Sequence, residues 1–514
     1  MIMSAPAQKA AEAGPTPGVA GRIILVLPFD NRTGQPSLEW IREAAAEILN
    51  SRLNSAGFAP MSRADRRYAL DHLGMPQGFH PSRATALKLA ETVDAESIVV
   101  GSYITDGSGI LAEAQLVDVP HLRMSAPVTA RGGMSDLIAV FDSLAWELTR
   151  QLDPGFNVAK ETFVAAGAGL RQDAFEQYIR GITEPDQQER LSDLKKAVQI
   201  SPGFSQAWMA LGREDYDGQQ YEQAAVAFAH VDRGDPAALE AGFDRGLSLM
   251  FSGDYSASEA AFAGVARVLP LAPVLNNQGV ALARRGKDGI PLFRQAVAAD
   301  PGAADYHFNL AVSLKRRGDT AGALSELTQC LQLRPNDSEA QGLAAPPGPG
   351  EDAEAKADPL ERIARNFDAQ AFRQAAQMLD EMDASRLAVL APRDRAQKLA
   401  LQAKDYLARG LLLEAERLYQ AAVAADPQVA DAHAGLAQVR ERTGDADGAR
   451  REARVALELN RSPDAYLVLG RLDLAAGRLS EAANEAGEAL KIDPRNAPAA
   501  DLRRQIDART AQNK

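Results

Sequence analysis

The chain has 514 residues, more than one hydrophobic core normally organises, so several folding units are expected. It carries 56 Lys and Arg against 69 Asp and Glu, and the net charge of −13 disfavours nucleic acid as a partner. The single cysteine, Cys330, excludes an internal disulfide framework and a metal site built on a cysteine cluster.

Residues 1–20 are rich in Ala, Pro, Gln and Gly and are predicted to be a disordered leader. Their composition is similar to that of an envelope protein just after signal cleavage. The sequence has no run of the roughly 18 apolar residues that a membrane span needs, so no integral membrane segment is predicted. We expect a periplasmic or envelope location if a signal peptide has been lost, and a cytoplasmic location otherwise.

Residues 21–154 are predicted to form an α+β domain. The apolar run after Arg22, which Pro28 ends, predicts a buried strand. Apolar residues at spacings of three and four between residues 38 and 56 predict a helix that packs on the sheet. Residues 97–119 predict two strands joined by a hairpin turn, and residues 135–152 predict a closing helix.

Short motifs in this part of the chain resemble the amino-terminal domain of the TolB type, a module of bacterial envelope and signalling proteins. The motifs are Leu27-Pro28-Phe29-Asp30-Asn31, Ile48-Leu49-Asn50-Ser51-Arg52-Leu53, Gly101-Ser102-Tyr103 and Ala114-Gln115-Leu116-Val117-Asp118. The resemblance implies a TolB-like domain that recruits other proteins and has no chemistry of its own.

A proline recurs at intervals of 34 residues, at Pro202, Pro236 and Pro270, and again from Pro301 to Pro335. This interval is the length of one tetratricopeptide repeat (TPR), a helix-turn-helix unit that stacks on copies of itself. The hallmark positions of that family are occupied in one unit by Trp208, Leu211, Gly212, Ala224 and Phe228. The rest of the chain therefore resembles an all-α TPR solenoid.

The repeats are predicted to form two arrays. The first array covers residues 155–340, with a degenerate repeat followed by four others, and Pro291 is expected to start one of its helices late. Residues 341–358 are rich in Pro and Gly and then in acidic residues, which predicts a flexible linker. Helical periodicity returns near Leu360, and residues 359–510 are predicted to be the second array with a capping helix.

The TPR resemblance implies a concave groove lined by fixed positions of each first helix. Carried over to this sequence, these positions are Met209, Arg213, Tyr216, Phe243, Met250, Phe251, Asn276, Arg284, Phe308, Lys315 and Arg316. Aromatic side chains beside cations suit a peptide that carries a carboxylate, although packing on the adjacent repeat is an equally good interpretation for each residue. Asn276 and Asn309 are similar to part of the family's carboxylate clamp, but Met209 replaces its expected Lys, so the clamp is not predicted.

The sequence offers little for catalysis. The six histidines, at positions 72, 80, 121, 230, 307 and 433, have no metal-ligand spacing and are expected to be packed or solvated. The glycines around Lys287 do not form a phosphate-binding loop, because Asp288 stands where Ser or Thr is needed. We therefore predict no enzymatic activity, no cofactor and no metal site.

The leading hypothesis is a non-catalytic bacterial scaffold that binds segments of partner proteins in the concave groove of its TPR arrays. One alternative is a regulatory or signalling subunit whose amino-terminal domain senses a ligand. Another is an assembly or cell-wall glycan-related factor that uses the repeats as a structural rod. The identity of the partner and the oligomeric state stay open.

Overall fold

The computed structural model describes residues 22–75, 83–107, 109–165, 167, 169–235, 237–345, 359–367, 372, 378 and 382–512. The predicted leader at 1–20 and most of the predicted linker, residues 346–358, lie outside the described residues. The chain divides into two compact units. Unit 1 comprises Met1–Gln172 and Leu390–Lys514, and unit 2 comprises Asp173–Val389.

The amino-terminal part of unit 1 contains one mixed sheet. Its strands are β1 (Ile23–Val26), β2 (Asp30–Asn31), β3 (Ala59–Pro60), β4 (Ser97–Asp106), β5 (Gly109–Asp118), β6 (Arg123–Met124) and β7 (Val128–Gly133). The order is β3-β1-β4-β5-β6, with β7 also paired to β5 and β2 to β4. Strand β1 is parallel to both neighbours, and the hairpin of β4 and β5 places Val99 opposite Leu116.

Four helices accompany this sheet: α1 (Ile41–Ser55), α2 (Arg63–His72), α3 (Arg83–Thr92) and α4 (Leu137–Leu152). Phe29 is fully buried and meets Phe141 of α4 edge to face, with ring centroids 5.6 Å apart. The ring also lies against Gly101, where a Cβ atom would come within 2.3 Å of it. Gly101 is therefore required for the packing of Phe29. The sheet and its helices together confirm the predicted α+β class of this domain.

Unit 2 is a row of helix pairs, each joined by a short turn. The helices are α6 (Gln172–Thr183), α7 (Gln187–Ile200), α8 (Ser205–Asp217), α9 (Tyr221–Ala229), α10 (Ala238–Phe251), α11 (Tyr255–Ala266), α12 (Ala272–Arg284), α13 (Ile290–Ala299), α14 (Ala304–Arg316), α15 (Thr320–Leu333) and α16 (Ser338–Ala344), following α5 (Lys160–Ala165) of unit 1. As predicted, α13 begins late, with Pro291 in its first turn.

Glycines let the two helices of a pair approach closely. A Cβ atom on Gly212 of α8 would lie 2.6 Å from the ring of Phe228 on α9. The same relationship joins Gly246 of α10 to Phe262 of α11. The aromatic side chain of the second helix thus fills the space that the missing side chain of the first helix leaves, as the repeat pattern predicts.

The second array belongs to unit 1. Its helices are α17 (Pro392–Ala408), α18 (Leu412–Ala425), α19 (Ala430–Thr443), α20 (Ala446–Leu459), α21 (Pro463–Ala475), α22 (Leu479–Ile492) and α23 (Ala497–Gln512). Helix α5, which the sequence assigns to the first array, packs instead on α4, α18 and α19. Of the helices that the structure describes, none combines the length and apolarity of a membrane span.

The carboxylate of Glu416 on α18 is the centre of this contact. Its side chain is fully buried and accepts a hydrogen bond from the main-chain N–H of Ala159 at 3.3 Å. Arg440 of α19 lies 3.5 Å away, and Thr162 of α5 is hydrogen-bonded to Thr443 at 3.1 Å. Burial raises the pKa of Glu416. The second array is thus held to the amino-terminal domain by a buried charged group.

Residues 359–367 differ from the prediction. The helix expected from near Leu360 is wrong for these residues, because the structure has no helix there, and the next fully described helical residues are 382–388. Leu, Glu, Arg, Ile and Ala are good or acceptable helix formers, so the local sequence favours a helix. Contacts with the helices of unit 2 override that preference.

Candidate functional site

Residues 359–367 form an extended strand of chain that lies across the first helices of three consecutive pairs in unit 2. We call these residues the internal segment, and the surface of α10, α12 and α14 that contacts them the groove. At one end Arg316 of α14 donates to the carbonyl of Pro359 at 2.8 Å. At the other end the guanidinium of Arg365 lies 5.3 Å from the ring centroid of Phe251 on α10. The internal segment therefore crosses the repeats in the reverse of their chain order.

Three fully buried asparagines bind the main chain of the internal segment. Asn309 accepts from the N–H of Arg362 at 2.6 Å and donates to its carbonyl at 2.7 Å. Asn277 makes the same two-point contact with Ala364, at 2.9 Å and 2.8 Å. Asn276 donates to the carbonyl of Arg362 at 3.0 Å and accepts from Asn309 at 2.7 Å. Because these bonds involve only backbone groups, they select an extended chain and not a sequence.

The side chain of Glu361 supplies the first sequence-dependent contact. It is only 3% exposed and lies between two arginines of the groove. Arg284 approaches the carboxylate to 3.1 Å and also donates to the carbonyl of Glu361 at 3.1 Å, while Arg316 pairs with the other carboxylate oxygen. A buried carboxylate is tolerated only when it is paired in this way, so the two arginines select an acidic residue.

Arg362 enters an acidic pocket on the opposite side. Its guanidinium lies 3.6 Å from the ring centroid of Phe308 and donates to Asp305 at 3.0 Å and to Glu339 at 2.8 Å. Asp337, which caps the start of α16, accepts two hydrogen bonds from it at 2.5 and 2.7 Å. This bidentate bond holds the pKa of Asp337 below its ordinary value. A planar cation with several donors fits the pocket, which favours arginine over lysine.

Aromatic side chains complete the contact at α10. Phe243 meets Phe367 with ring centroids 5.7 Å apart and Phe372 with centroids 6.4 Å apart. The rings of Phe367 and Phe372 are themselves 4.1 Å apart. Phe372 is buried in the same apolar cluster as Phe243, so this end of the contact resembles the core of a folded domain.

The structure brings six of the predicted groove residues against the internal segment or Phe372: Phe243, Phe251, Asn276, Arg284, Phe308 and Arg316. The other five lie elsewhere. Tyr216 meets Phe251 and Tyr221 edge to face, and Met250 is buried in the same cluster as Phe243. Met209 belongs to a separate apolar cluster with Phe228, Arg213 pairs with Glu240, and Lys315 is exposed.

Sequence reasoning missed Asn277 and the acidic residues around Arg362. A signal for the asparagines is present in the sequence, because Asn276 and Asn277 interrupt an otherwise apolar stretch of α12. Asparagine is a poor helix former and requires hydrogen-bond partners when it is buried. Two adjacent buried asparagines in a helix therefore indicate that another chain segment binds there.

Two charged residues on a first helix of the second array, Glu441 and Arg442, make contacts within that array. Glu441 accepts two hydrogen bonds from Arg471, both at 2.5 Å. Arg442 donates to the carbonyl of Leu407 at 3.2 Å. These contacts stabilise the stacking of α17, α19 and α21.

Two histidines have equivalent structural roles in the two arrays. His307 is hydrogen-bonded through Nδ1 to Glu326 at 2.6 Å and through Nε2 to the carbonyl of Pro301 at 3.1 Å. His433 repeats the arrangement with Glu452 and Pro427, at 2.7 and 3.1 Å. Both tie a repeat to the turn before it. Over the described residues, no group of three or more His, Cys, Asp or Glu side chains is arranged to hold a metal ion.

Comparison with known proteins identifies the helix pairs. A family model described as a tetratricopeptide repeat matches residues 283–338 in the first array and 401–462 in the second. The chain therefore contains tetratricopeptide repeats. The comparison with curated proteins found no match.

Several solved structures are similar to parts of the chain. MamA from Desulfovibrio magneticus RS-1, residues 41 to the end, shares 21% identity over 33% of this chain and 99% of that chain, with a TM-score of 0.30. YrrB, described as a TPR protein with an unusual peptide-binding site, shares 17% identity over 35% and 96%, with a TM-score of 0.31. The first TPR of Spaghetti (RPAP3), bound to the HSP90 peptide SRMEEVD, shares 26% identity over 23% and 95%, with a TM-score of 0.22.

Proposed function

We propose that this chain is a non-catalytic scaffold whose first array binds extended segments of partner proteins in the groove of α10, α12 and α14. The observation that carries the proposal is the two-point binding of main-chain N–H and C=O groups by Asn277 and Asn309. A helix surface that already holds one extended strand by its backbone has the geometry to hold another.

The groove also has the energetic features of a peptide site. It contains fully buried hydrogen-bonding groups, which stabilise a partner that satisfies them. It also contains the aromatic anchors Phe243 and Phe251 and the cations Arg284 and Arg316. Interfaces of this kind draw most of their binding energy from a few central aromatic and arginine residues. A short segment can thus bind specifically without a large contact area.

The test is a selection of peptides from a random display library against the full-length chain and against its E361A/R362A variant. We expect enrichment of peptides whose binding, measured by fluorescence polarisation, falls at least tenfold when R284A/R316A is added to the E361A/R362A variant, in which no carboxylate at position 361 is left unpaired. The matched control is R285A/R317A, which removes the same charge from neighbouring positions that pair with Glu259 and Asp288 instead. If no selected peptide distinguishes these two double variants, the groove is not a peptide site.

The regulatory alternative concerns unit 1. An open depression of about 470 Å³ is lined by Arg22, Arg123 and Arg150 and by one carboxylate, Asp118, so cations predominate and an anionic ligand is favoured. Arg22 is already engaged, because it donates to the carbonyl of Leu152 at 2.6 Å. A ligand that binds there should raise the melting temperature of the full chain, and the full chain is the proper sample because the second array shares unit 1 with this domain.

The TolB-type likeness of the amino-terminal domain, the bacterial envelope location and the role of a structural rod stay predictions. They bear on where the scaffold works and with which proteins. None of them changes the chemistry of the groove.

A further inference from the structure

The groove of the first array is occupied by the chain itself. We propose that the internal segment is a displaceable ligand that closes the groove, and that partner segments share its chemistry: an acidic residue followed by arginine, with an aromatic residue downstream. This inference rests on the proposed function, since it names the partner class and the regulation of the same groove.

The first argument concerns the division of the contacts. The asparagines bind only backbone groups of the internal segment, so any extended chain can satisfy them. Selectivity must therefore come from the two side-chain pockets, one for Glu361 and one for Arg362. Glu361 is nearly fully buried between two cations, and Arg362 lies on Phe308 among three carboxylates. A partner without the acidic residue would leave Arg284 and Arg316 without their shared carboxylate, and one without the arginine would remove the bidentate partner of the buried Asp337.

The second argument concerns what a permanent structural element would look like. The internal segment has no helix and no sheet partner of its own, and its Leu360 is 62% exposed, next to the fully enclosed Glu361. Binding of main-chain groups at every second residue, Arg362 and Ala364, by side chains from a distant part of the chain is typical of a bound peptide. Its local sequence favours helix, so an internal segment released from the groove has a different preferred conformation.

The third argument concerns the covalent connection between the internal segment and the helices of the groove. The internal segment follows α16 in the chain, and a ligand on a short connection has an effective concentration on the order of millimolar. A free partner must compete with that concentration. The apparent affinity of the groove for a partner is reduced in proportion to the fraction of molecules in which the internal segment has left. Weakening the internal segment should therefore strengthen binding in trans.

The experiment uses a labelled synthetic peptide of residues 359–372 and three full-length chains: wild type, E361A/R362A, and the control L360A/N366A. We expect the peptide to bind E361A/R362A at least tenfold more tightly than wild type, and the control to behave like wild type. A peptide with alanine in place of Glu361 and Arg362 should bind the E361A/R362A chain at least tenfold more weakly than the native peptide does.

Two outcomes overturn the inference while leaving the proposed function intact. Equal affinity of wild type and E361A/R362A for the peptide would show that the internal segment does not compete. Failure of the peptide on a chain that binds library-selected peptides would show that the groove prefers other chemistry. If no peptide of any kind depends on Arg284 and Arg316, the proposed function itself fails.

A second measurement covers the case in which E361A/R362A does not fold. Hydrogen exchange at the amides of Arg362 and Ala364 in the wild-type chain is followed with and without excess unlabelled peptide. A displaceable internal segment exchanges faster than the buried amides of α12 and α14, and faster again when peptide is added. If the amides of Arg362 and Ala364 exchange as slowly as the buried amides of α12 and α14, and added peptide does not change this rate, the internal segment is part of the permanent core. That result would overturn the inference.

Discussion

The side-chain amide of Asn309 binds both backbone groups of Arg362, accepting from its N–H at 2.6 Å and donating to its carbonyl at 2.7 Å. A carboxamide and a peptide group have complementary donors and acceptors, so this pair mimics one rung of a β-ladder between a helix side chain and an extended chain. The contact fixes the register of the internal segment. In that register the side chains of Glu361 and Arg362 reach their partners of opposite charge.

Replacing Asn309 with alanine should free the internal segment. Two hydrogen bonds are lost and the amide of Asn276 loses its neighbour, at a cost of about 1–3 kcal/mol. Because tenfold in an equilibrium corresponds to about 1.4 kcal/mol, amide exchange at Arg362 should accelerate by roughly one to two orders of magnitude. Hydrogen exchange measures it, with Asn366→Ala as control. Unchanged protection of Arg362 would mean that the contact does not hold the internal segment in solution.

Removing both arginines that face Glu361 should destabilise unit 2. R284A/R316A leaves a nearly buried carboxylate without a cation, a change that typically costs about 3–5 kcal/mol. The comparison is chemical denaturation against R285A/R317A, whose arginines pair outside the groove. Adding Glu361→Ala should restore part of the loss, because the unpaired charge is then gone. If the effects of R284A/R316A and Glu361→Ala on the free energy of unfolding simply add, Glu361 is not paired directly with these arginines.

Gly212→Ala should destabilise the first array by about 1–3 kcal/mol, because the new methyl group would lie 2.6 Å from the Phe228 ring. The control is Gly264→Ala in α11, where the added methyl group meets nothing within 4 Å. That change should be neutral or stabilising by up to about 1 kcal/mol, as alanine is the better helix former. Urea denaturation of the two variants measures the difference, and equal effects would contradict close packing at Gly212.

The pair of His433 and Glu452 should give the second array a stability maximum in mildly acidic solution. The hydrogen bond to Glu452 raises the pKa of His433 above its ordinary 6.5. The contribution of the charged imidazole to folding stability is therefore fully present below pH 6.5 and is lost as the pH rises through the raised pKa. Burial opposes ionisation of Glu452, but His433 and Arg440 outweigh it and lower the pKa of Glu452 below 4.5. Its contribution is therefore lost in more acidic solution.

The measurement is the melting temperature of wild type and His433→Gln from pH 5 to pH 9. The destabilisation caused by the substitution should be largest near pH 5 to 6 and should shrink as the pH rises through the raised pKa of His433. In the background of Glu452→Gln the same substitution should lose this pH dependence. A difference that stays constant with pH in both backgrounds would rule out the ion pair as its source.

Glu416→Ala should weaken the attachment of the second array to α5. The change removes the acceptor for the Ala159 N–H and the partner of Arg440 in a buried site, which should cost about 2–4 kcal/mol. Limited proteolysis near residue 160 should accelerate, whereas Glu414→Ala on the same helix should have little effect. Equal cleavage of both variants would mean that Glu416 does not secure this contact.

Part of this structure follows directly from the sequence. The interval of 34 residues between prolines and the paired Gly212 and Phe228 predict helix pairs, because close packing of two helices requires a small residue facing a large one. The resemblance to tetratricopeptide repeats implies an inner surface and assigns Phe243, Phe308, Arg284 and Arg316 to it, and in the structure these four contact the internal segment. The helix pairs could be anticipated because each depends on contacts within one or two neighbouring repeats.

The fold class and the repeat units could be predicted from the sequence alone, since local periodicity and motifs within one unit express both. The occupation of the groove by residues 359–367 depends on the three-dimensional fold. Their sequence favours helix, and what overrides it is a set of contacts from Asn276, Asn277 and Asn309, residues more than fifty positions away. No local pattern predicts this contact, because the asparagines bind backbone groups, which every residue of a chain carries.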